Sequence, residues 1–340
     1  MSSPSRRAGC ESSGACAGTD YVPAPTLIIG GGLVGSHVAQ QLVALGETPI
    51  IMDIAPQASA LGEIVDLSKI KIARGDVLNP FDLLRIMREH EIRDVVHLAV
   101  YAQLTSGAQA DPLPAVTLNI MGTMHVLEAA RTLKLGRIVV ASSNVLGNFL
   151  TGGEGAGDQA LEEAFPRPLT FYAATKQAIE SLGLNYARWS GVDFVALRYG
   201  AVAGRWSGQG GGGPTNRIRR IVEACLAGSD ATVPAARMEW VHVGDAARAT
   251  LLALRARTLT NRVFNVTSGE VTDGEGLAAA LRAVFPDARL AIERECAATP
   301  PPMLRPSSLA LANLQLGYLP EYGMVDIVRD VATGLRRKLG

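Results

Sequence analysis

The stretch Thr26-Leu-Ile-Ile-Gly30-Gly31-Gly32-Leu33-Val34-Gly35-Ser36 organises the reading of this chain. Residues 26–29 are short, apolar and β-prone, and an apolar helical period of Val34, Val38, Leu42 and Leu45 follows the glycines. Strand, glycine turn and helix is the context in which a G-x-G-x-x-G pattern carries meaning. Gly30 allows a tight turn, Gly32 a close approach of a pyrophosphate, and Gly35 close packing of helix on strand. Phosphates would then sit on Gly32, Leu33 and Val34, where a helix N-terminus offers unpaired N–H groups.

A second apolar run, Pro49-Ile-Ile-Met52, ends in Asp53, near the expected spacing of about 20 residues. Its carboxylate can accept from both ribose hydroxyls of an adenosine. Neither Arg nor Lys follows in Ile54-Ala-Pro-Gln57, and Asp53 would repel a 2′-phosphate. The expected cofactor is therefore NAD rather than NADP.

Outward from there the alternation continues. Strands are expected at Lys71–Arg74, Asp94–Ala99, Arg137–Ala141 and Asp193–Arg198, with helices near Asp82–His90, Pro114–Leu133 and Tyr172–Trp189. Repeated β-α-β units predict an α/β fold, a Rossmann-type doubly wound parallel sheet with ligands at the carboxyl ends of its strands. Gly30, Asp53, Asp76, Ala99 and the Ser142/Ser143 pair all fall at such ends. Beyond Gly200 the texture changes: a glycine run (208, 210–213), an amphipathic segment Asn216–Ala227, shorter elements, Pro300–Pro302 and a closing helix near Met324–Lys338. The expected organisation is a disordered tail over 1–24, a nucleotide-binding domain over 25–200 that carries the catalytic residues, and a smaller substrate-binding lobe over 201–340. Strands within 237–244 and 262–266 are expected to return to the main sheet.

Tyr172 and Lys176 stand four apart in a helical segment, so their side chains share a face. An ammonium beside a phenol favours the phenolate and lowers the tyrosine pKa from about 10. That suits a proton carrier removing hydrogen from an alcohol. The catalytic serine has two candidates. Counting from the strand end selects Ser143, and counting back from Gly147 selects Ser142; the strand is the firmer ruler.

The 340-residue chain is 48% hydrophobic, and its 32 basic residues balance 32 acidic ones. Such a chain can bury a large core, and no electrostatic footprint for nucleic acid or an anionic membrane is present. No run approaches the roughly 20 apolar residues of a membrane span. Arg6-Arg7 is followed by no apolar core, which argues against export. The cysteines Cys10, Cys16, Cys225 and Cys296 match neither a metal spacing nor a disulfide framework, so a cytoplasmic protein without a metal is expected. His97 and His242 lie in apolar strands and are expected to pack in the core. Glu162 and Glu163 read as solvated loop carboxylates, and Arg198 as a structural anchor.

Taken together, the glycine turn, Asp53, Gly75-Asp-Val77, Val96-His-Leu98-Ala99, Asn119-x-x-Gly-Thr123, Ala141-Ser-Ser143, Tyr172-x-x-x-Lys176, Leu197-Arg198, Val241-His-Val-Gly-Asp245 and Phe264-Asn-Val266 resemble the extended short-chain dehydrogenase/reductase family, the NAD-dependent epimerase/dehydratase group. The resemblance runs from about Thr26 to Leu335. It implies that Asp76 and Val77 meet adenine, that Leu98 and Ala99 line the cofactor channel, and that Lys176 also holds the nicotinamide ribose. It further implies that Tyr172 and Asn119 also contact the cofactor, and that Asn119 lies in a long helix that supports the site and pairs subunits into a homodimer.

This chain departs from the family pattern at Ile29, where a glycine is usual, at Leu146, where a tyrosine is usual, and in lacking a Gly-Asp-Gly loop before Glu239-Trp240. Asn144 and Val145 follow the serine where family dehydratases carry acids, which disfavours elimination. The implied chemistry is hydride transfer at a carbinol of a sugar or sugar derivative, with Tyr172 as general base. One outcome is epimerisation; another is a dehydrogenase that releases the ketone or lactone of a sugar acid or hydroxy acid. An NAD-binding regulator without turnover is the reading least compatible with an intact Tyr–Lys pair. Ser143, Asn144, Arg217 and Arg305 are the candidates for contact with a polyhydroxylated substrate, nucleotide-linked or anionic. The glycine run is expected to form a lid over it.

Overall fold

The computed structural model describes residues 25–101, 103–149, 168–293 and 306–339. The tail over 1–24, Glu162, Glu163, Pro300–Pro302 and Arg305 lie outside the described residues.

Seven parallel strands form the main sheet: β1 (Thr26–Ile29), β2 (Ile50–Asp53), β3 (Lys71–Arg74), β4 (Asp94–His97), β5 (Arg137–Ser143), β6 (Asp193–Tyr199) and, after three others in chain order, β10 (Val263–Val266). Their spatial order is β10-β6-β5-β4-β1-β2-β3. The chain winds one way from β1 through β2 to β3 and the other way from β4 to β6, which places the switch point between β1 and β4. Every residue of β1 is buried, as helical cover on both faces requires. One apolar layer joins Ile28, Ile51, Val96, Val139 and Val195 to α1 (Leu33–Ala44) and α9 (Val243–Arg255). The opposite layer joins Leu27, Ile29, Val95, Ile138 and Val140 to α3 (Pro80–Glu89), α6 (Gly122–Leu133) and α7 (Phe171–Ser190). The period-2 alternation of each strand divides these residues between the two layers.

Local signals set the helix ends. Asn79 accepts from Phe81 N at the start of α3, with Pro80 in its first turn, and Thr170 accepts from Ala173 N to start α7, which ends at Gly191. The helix expected over 114–133 is interrupted. Pro112–Val116 (α5, after α4 at Leu104–Ala110) leads into a π-turn at Thr117–Met121 before α6. Such turns are rare and concentrate at functional sites. Here the turn carries Asn119.

The remaining elements form a second layer system: β7 (Ala201–Ala203), β8 (Ala231–Val233), β9 (Met238–His242), β11 (Val271–Thr272) and β12 (Leu290–Ile292), with α8 (Gly212–Leu226), α10 (Gly274–Val284) and α12 (Met324–Leu339). Their apolar residues, among them Ile218, Val222, Trp240, Leu277, Val328 and Val331, make a separate core. Of the two strands expected to return to the main sheet, β10 does so, pairing with β6. Strand β9 does not: it pairs with β7 and β11 in a three-stranded sheet. Apolar strands of equal length look alike in sequence, and only long-range pairing separates them.

His97 and His37 are both buried, and burial holds their imidazoles neutral, with pKa values lowered to about 3 and about 4. Unfolded histidines take up protons near pH 6.5. The stability that depends on these neutral rings is therefore complete above about pH 6.5 and is lost as the pH falls toward their folded values. The loss is on the order of 1.4 kcal/mol for each pH unit crossed between the unfolded and folded values. Thermal unfolding followed between pH 7 and 4 should show a falling midpoint, with a shallower fall in His37→Gln. An unchanged slope in that variant would contradict the assignment.

Candidate active site

The site begins at the β1–α1 turn. Gly30 has a φ of +105°, donates to Met52 O at 2.9 Å, and lies so close to β4 that a Cβ there would stand 2.8 Å from Ala99 N. Leu98 N and Ala99 N both donate to Ile29 O at 2.8 Å, which draws the end of β4 against the turn. A Cβ on Gly35 would meet Gly30 O at 2.1 Å, so α1 rests directly on the turn. Gly32 caps α1 without any side-chain hydrogen bond, and nothing lies within 4 Å of where its Cβ would be. The result is an open backbone cradle at a helix N-terminus, with the N–H groups of Leu33 and Val34 in the first turn.

Asp53, at the end of β2, accepts Gly31 N on Oδ2 (2.8 Å) and Ala55 N on Oδ1 (2.9 Å). Each carboxylate oxygen keeps a lone pair for a ribose hydroxyl. One cation escaped the sequence reading: Arg74, from neighbouring β3, donates to Ile54 O at 3.2 Å. It is far from Asp53 in sequence and becomes a neighbour only through the β2–β3 pairing. Asp76 accepts Leu78 N, while Val77 is buried against α6 and its carbonyl meets His125 Nδ1 at 3.1 Å. These backbone commitments suit a wall beside a bound adenine. The cradle, the Asp53 carboxylate and this wall together fit a dinucleotide.

At the other end, β5 delivers both serines, and its pleat separates them. Ser142 points toward α7 and donates to Glu180 Oε1 at 2.5 Å. Ser143 stands beside the Tyr172 phenol, whose pKa it pulls downward, and accepts Val145 N. The structure therefore brings Ser143 to the phenol, and Ser142 serves a buried ion pair instead. Lys176 donates to Ala141 O at 2.7 Å, with Nζ 5.6 Å from the centroid of the Tyr172 ring.

The expectation that Lys176 depresses the tyrosine pKa does not hold in this state. Burial pushes Tyr172 up to about 12, only partly offset by the Ser143 hydrogen bond, and burial lowers Lys176 to about 8 against the opposing pull of Glu180. Desolvation outweighs the mutual attraction because the lysine's hydrogen bond goes to a backbone carbonyl rather than to the phenolic oxygen.

Other candidates have different partners. Asn119 is buried, accepting Tyr101 N on Oδ1 (2.9 Å) and donating Nδ2 to Thr175 Oγ1 (3.0 Å). It fastens the segment after β4 to α7. Asn144 donates to Glu239 Oε2 at 3.2 Å. Glu239 is itself buried and also accepts Thr267 Oγ1 and both the N and Oγ of Ser307. Its carboxylate thus joins the serine loop to the second lobe, a role invisible in sequence because its partners lie 28 to 95 residues away.

The glycine run has a partner near the cofactor-binding loops. Gln209 N donates to Gln57 Oε1 (2.6 Å) and Gln57 Nε2 to Gln209 O (3.3 Å), so the run is strapped to the loop after Asp53 at the ribose corner. Trp206 is buried in the main core, and its indole N–H donates to Gln209 O. Arg217 and Arg220 are exposed on α8, and Arg219 pairs with Glu223 along the helix. Among the described residues no group of His, Cys, Asp and Glu could hold a metal ion, and no helix is long and apolar enough to cross a membrane. His242 caps α9 through Gly244 N and faces Asp330 at 3.4 Å.

Asp53→Ala removes both the clamp on Gly31 and the ribose acceptor. Loss of hydrogen bonds to a charged group, about 1.5–3 kcal/mol, corresponds to roughly tenfold to a hundredfold weaker NAD binding. NADP should lose less, so the preference ratio measured by fluorescence titration should move toward NADP. An unmoved ratio would exclude Asp53 as its source.

Comparison with known proteins agrees with this geometry. The family model for the NAD-dependent epimerase/dehydratase family matches residues 26–267. UDP-glucose 4-epimerase from Lacticaseibacillus casei is 26% identical over 323 residues, covering 89% of this chain and 93% of that protein. The crystal structure of Thermus thermophilus UDP-glucose 4-epimerase in complex with NAD superimposes with a TM-score of 0.76 at 27% identity, covering 92% of this chain and 99% of that one. A partial-consensus L-threonine 3-dehydrogenase gives 0.77 at 25% identity, again with 92% and 99% coverage. The cofactor is NAD, the protein is an enzyme, and the chain belongs to the NAD-dependent epimerase/dehydratase family.

Proposed function

We propose that this enzyme epimerises a sugar carbinol, with a nucleotide-linked sugar as the substrate class, through reversible hydride transfer. The observation that carries this reading is the placing of Ser143 beside Tyr172, with Lys176 on the same helix face, at the carboxyl edge of the sheet whose β1–α1 turn fits a dinucleotide. Tyr172 takes the carbinol proton as the carbon–oxygen bond becomes a carbonyl. Ser143 holds the same oxygen and stabilises the charge that develops on it. Lys176, positively charged below about pH 8, favours the phenolate that this step requires. NAD held in the cradle would accept a hydride and, in an epimerase, return it, with Tyr172 giving its proton back to the carbonyl oxygen. Neither Asn144 nor Val145 can titrate, so elimination of water has no acid–base pair in the serine loop.

The strap between Gln57 and Gln209 supports the epimerase outcome over release of a ketone. It ties the second lobe across the ribose corner, which suits a cofactor that is recycled rather than exchanged. We assign the lobe beyond residue 200 to substrate binding and the enzyme to the cytoplasm. We also propose that a second copy covers the neighbouring α6 and α7 faces, where Met121, Leu184 and Trp189 are exposed. The likeness to an L-threonine 3-dehydrogenase favours a second reading, a dehydrogenase of a hydroxy acid that discharges a ketone and reduced cofactor.

Two substrates separate the readings. With UDP-glucose, the epimerase reading expects the 4-epimer without net accumulation of reduced cofactor. With L-threonine and added NAD, the dehydrogenase reading expects reduced cofactor in step with product. On the active substrate, Tyr172→Phe should lower kcat by at least about a hundredfold while thermal stability and NAD affinity stay nearly unchanged. Retention of most activity in Tyr172→Phe would exclude the tyrosine as the base.

A further inference from the structure

Beneath the Ser143–Tyr172 pair lies a buried cluster that the reaction scheme above does not use. Glu180 stands one turn beyond Lys176 on α7, on the same face as Tyr172 and Lys176. It is 6% exposed, and its partners Arg198 and Ser142 are 5% and 4% exposed. Arg198 Nε donates to Oε1 at 2.9 Å and Nη2 to Oε2 at 2.8 Å, a bidentate pair, and Ser142 adds its hydroxyl to Oε1. Ser142 and Arg198 are register neighbours on β5 and β6. One carboxylate therefore joins the strand that presents Ser143, the strand beside it, and the helix that presents Tyr172 and Lys176.

A buried ion pair costs desolvation energy that an apolar pair would avoid, so it is weak evidence for a purely stabilising role. Its place suggests another use. Lys176 is 3% exposed, and its ammonium donates to the neutral Ala141 carbonyl at 2.7 Å. Around it are Tyr172 and Glu180 from α7, His97 from β4, and Arg198 from β6 beyond the carboxylate. His97 is a neutral imidazole there, and Arg198 is cationic. Glu180 supplies the nearby negative charge.

We infer that Glu180 is a positioning residue of the reaction: held by Ser142 and Arg198, its carboxylate is the buried counter-charge that keeps Lys176 an ammonium beside Tyr172. This rests on the proposed hydride-transfer reading, in which Lys176 must be charged while Tyr172 exchanges a proton. Both carboxylate oxygens are held from the strand side, which fixes the carboxylate and its charge one turn from the lysine.

The chain contains five lysines, Lys69, Lys71, Lys134, Lys176 and Lys338, which makes direct titration practical. In NAD-free protein with ¹³C/¹⁵N-labelled lysine, the Cε–Nζ resonances are followed against pH, and Lys176 is assigned by its loss in Lys176→Arg. The native midpoint is expected near 8. In Glu180→Gln it should fall by about one unit or more, with the other four unmoved. If that variant does not fold, Glu180→Gln combined with Arg198→Met leaves no unpaired buried charge and should still place the Lys176 midpoint below the native one. A native-like midpoint in the folded variant, with only thermal stability reduced, would overturn the inference and leave Glu180 a structural anchor. Failure of the hydride-transfer reading would show separately, as turnover surviving in Tyr172→Phe, because the lysine titration needs neither substrate nor cofactor.

Discussion

A parallel sheet covered on both faces leaves one place for polar chemistry, the carboxyl edge of its strands. In this protein that edge is drawn tight at the switch point. Ile29 O receives two backbone N–H groups from Leu98 and Ala99, and Gly30 turns away with a conformation open to glycine. The close approach of β4 and of α1 to this turn excludes a side chain at Gly30 and at Gly35. The cradle is thus a consequence of packing: β4 and α1 close on Gly30 and Gly35 while the backbone at Gly32 stays open. Asp53 then braces the turn from β2 by accepting Gly31 N.

Burial, rather than nearness of charge, dominates the electrostatics of the catalytic end. Tyr172 and Lys176 share a helix face, as spacing requires, but each is pushed toward its neutral form by loss of water. A site in this condition needs fixed polar groups to restore the charged forms during reaction. Ser143 pulls the Tyr172 pKa downward, and Glu180 pulls the Lys176 pKa upward, each toward the charged form. Asn119 contributes differently, through a π-turn that aims its amide at both Tyr101 and Thr175 and so locks α7 against the segment after β4.

The second lobe is joined to this edge by polar contacts at two places. Glu239 gathers Asn144, Thr267 and Ser307 around one buried carboxylate, linking the serine loop to the lobe's own strand β9 and to the segment that resumes at residue 306. Gln57 and Gln209 join the lobe to the ribose corner. The serine loop and the Asp53 corner are therefore both spanned by contacts between the same two bodies of chain.

Much of this was legible in the sequence because it depends on short-range periodicity. The apolar runs at 26–29, 50–53 and 94–97, the glycine turn and the four-residue step from Tyr172 to Lys176 each need only local geometry to be read. The extended step to Glu180 obeys the same rule and could have been found by continuing along the helix face for one more turn. What local pattern cannot carry is partner choice across the fold. Which of two adjacent serines faces the phenol was decided by the pleat of β5 against α7, and whether β9 joined the main sheet was decided by its pairing with β7 and β11. The same holds for Arg74 beside Ile54, Glu239 beneath Asn144, and the strapping of the glycine run to Gln57. The sequence determined which elements form and which chemistry lines the sheet edge; tertiary structure alone decided which side chains meet there and how far burial shifts their charge, since both depend on neighbours tens to hundreds of residues away.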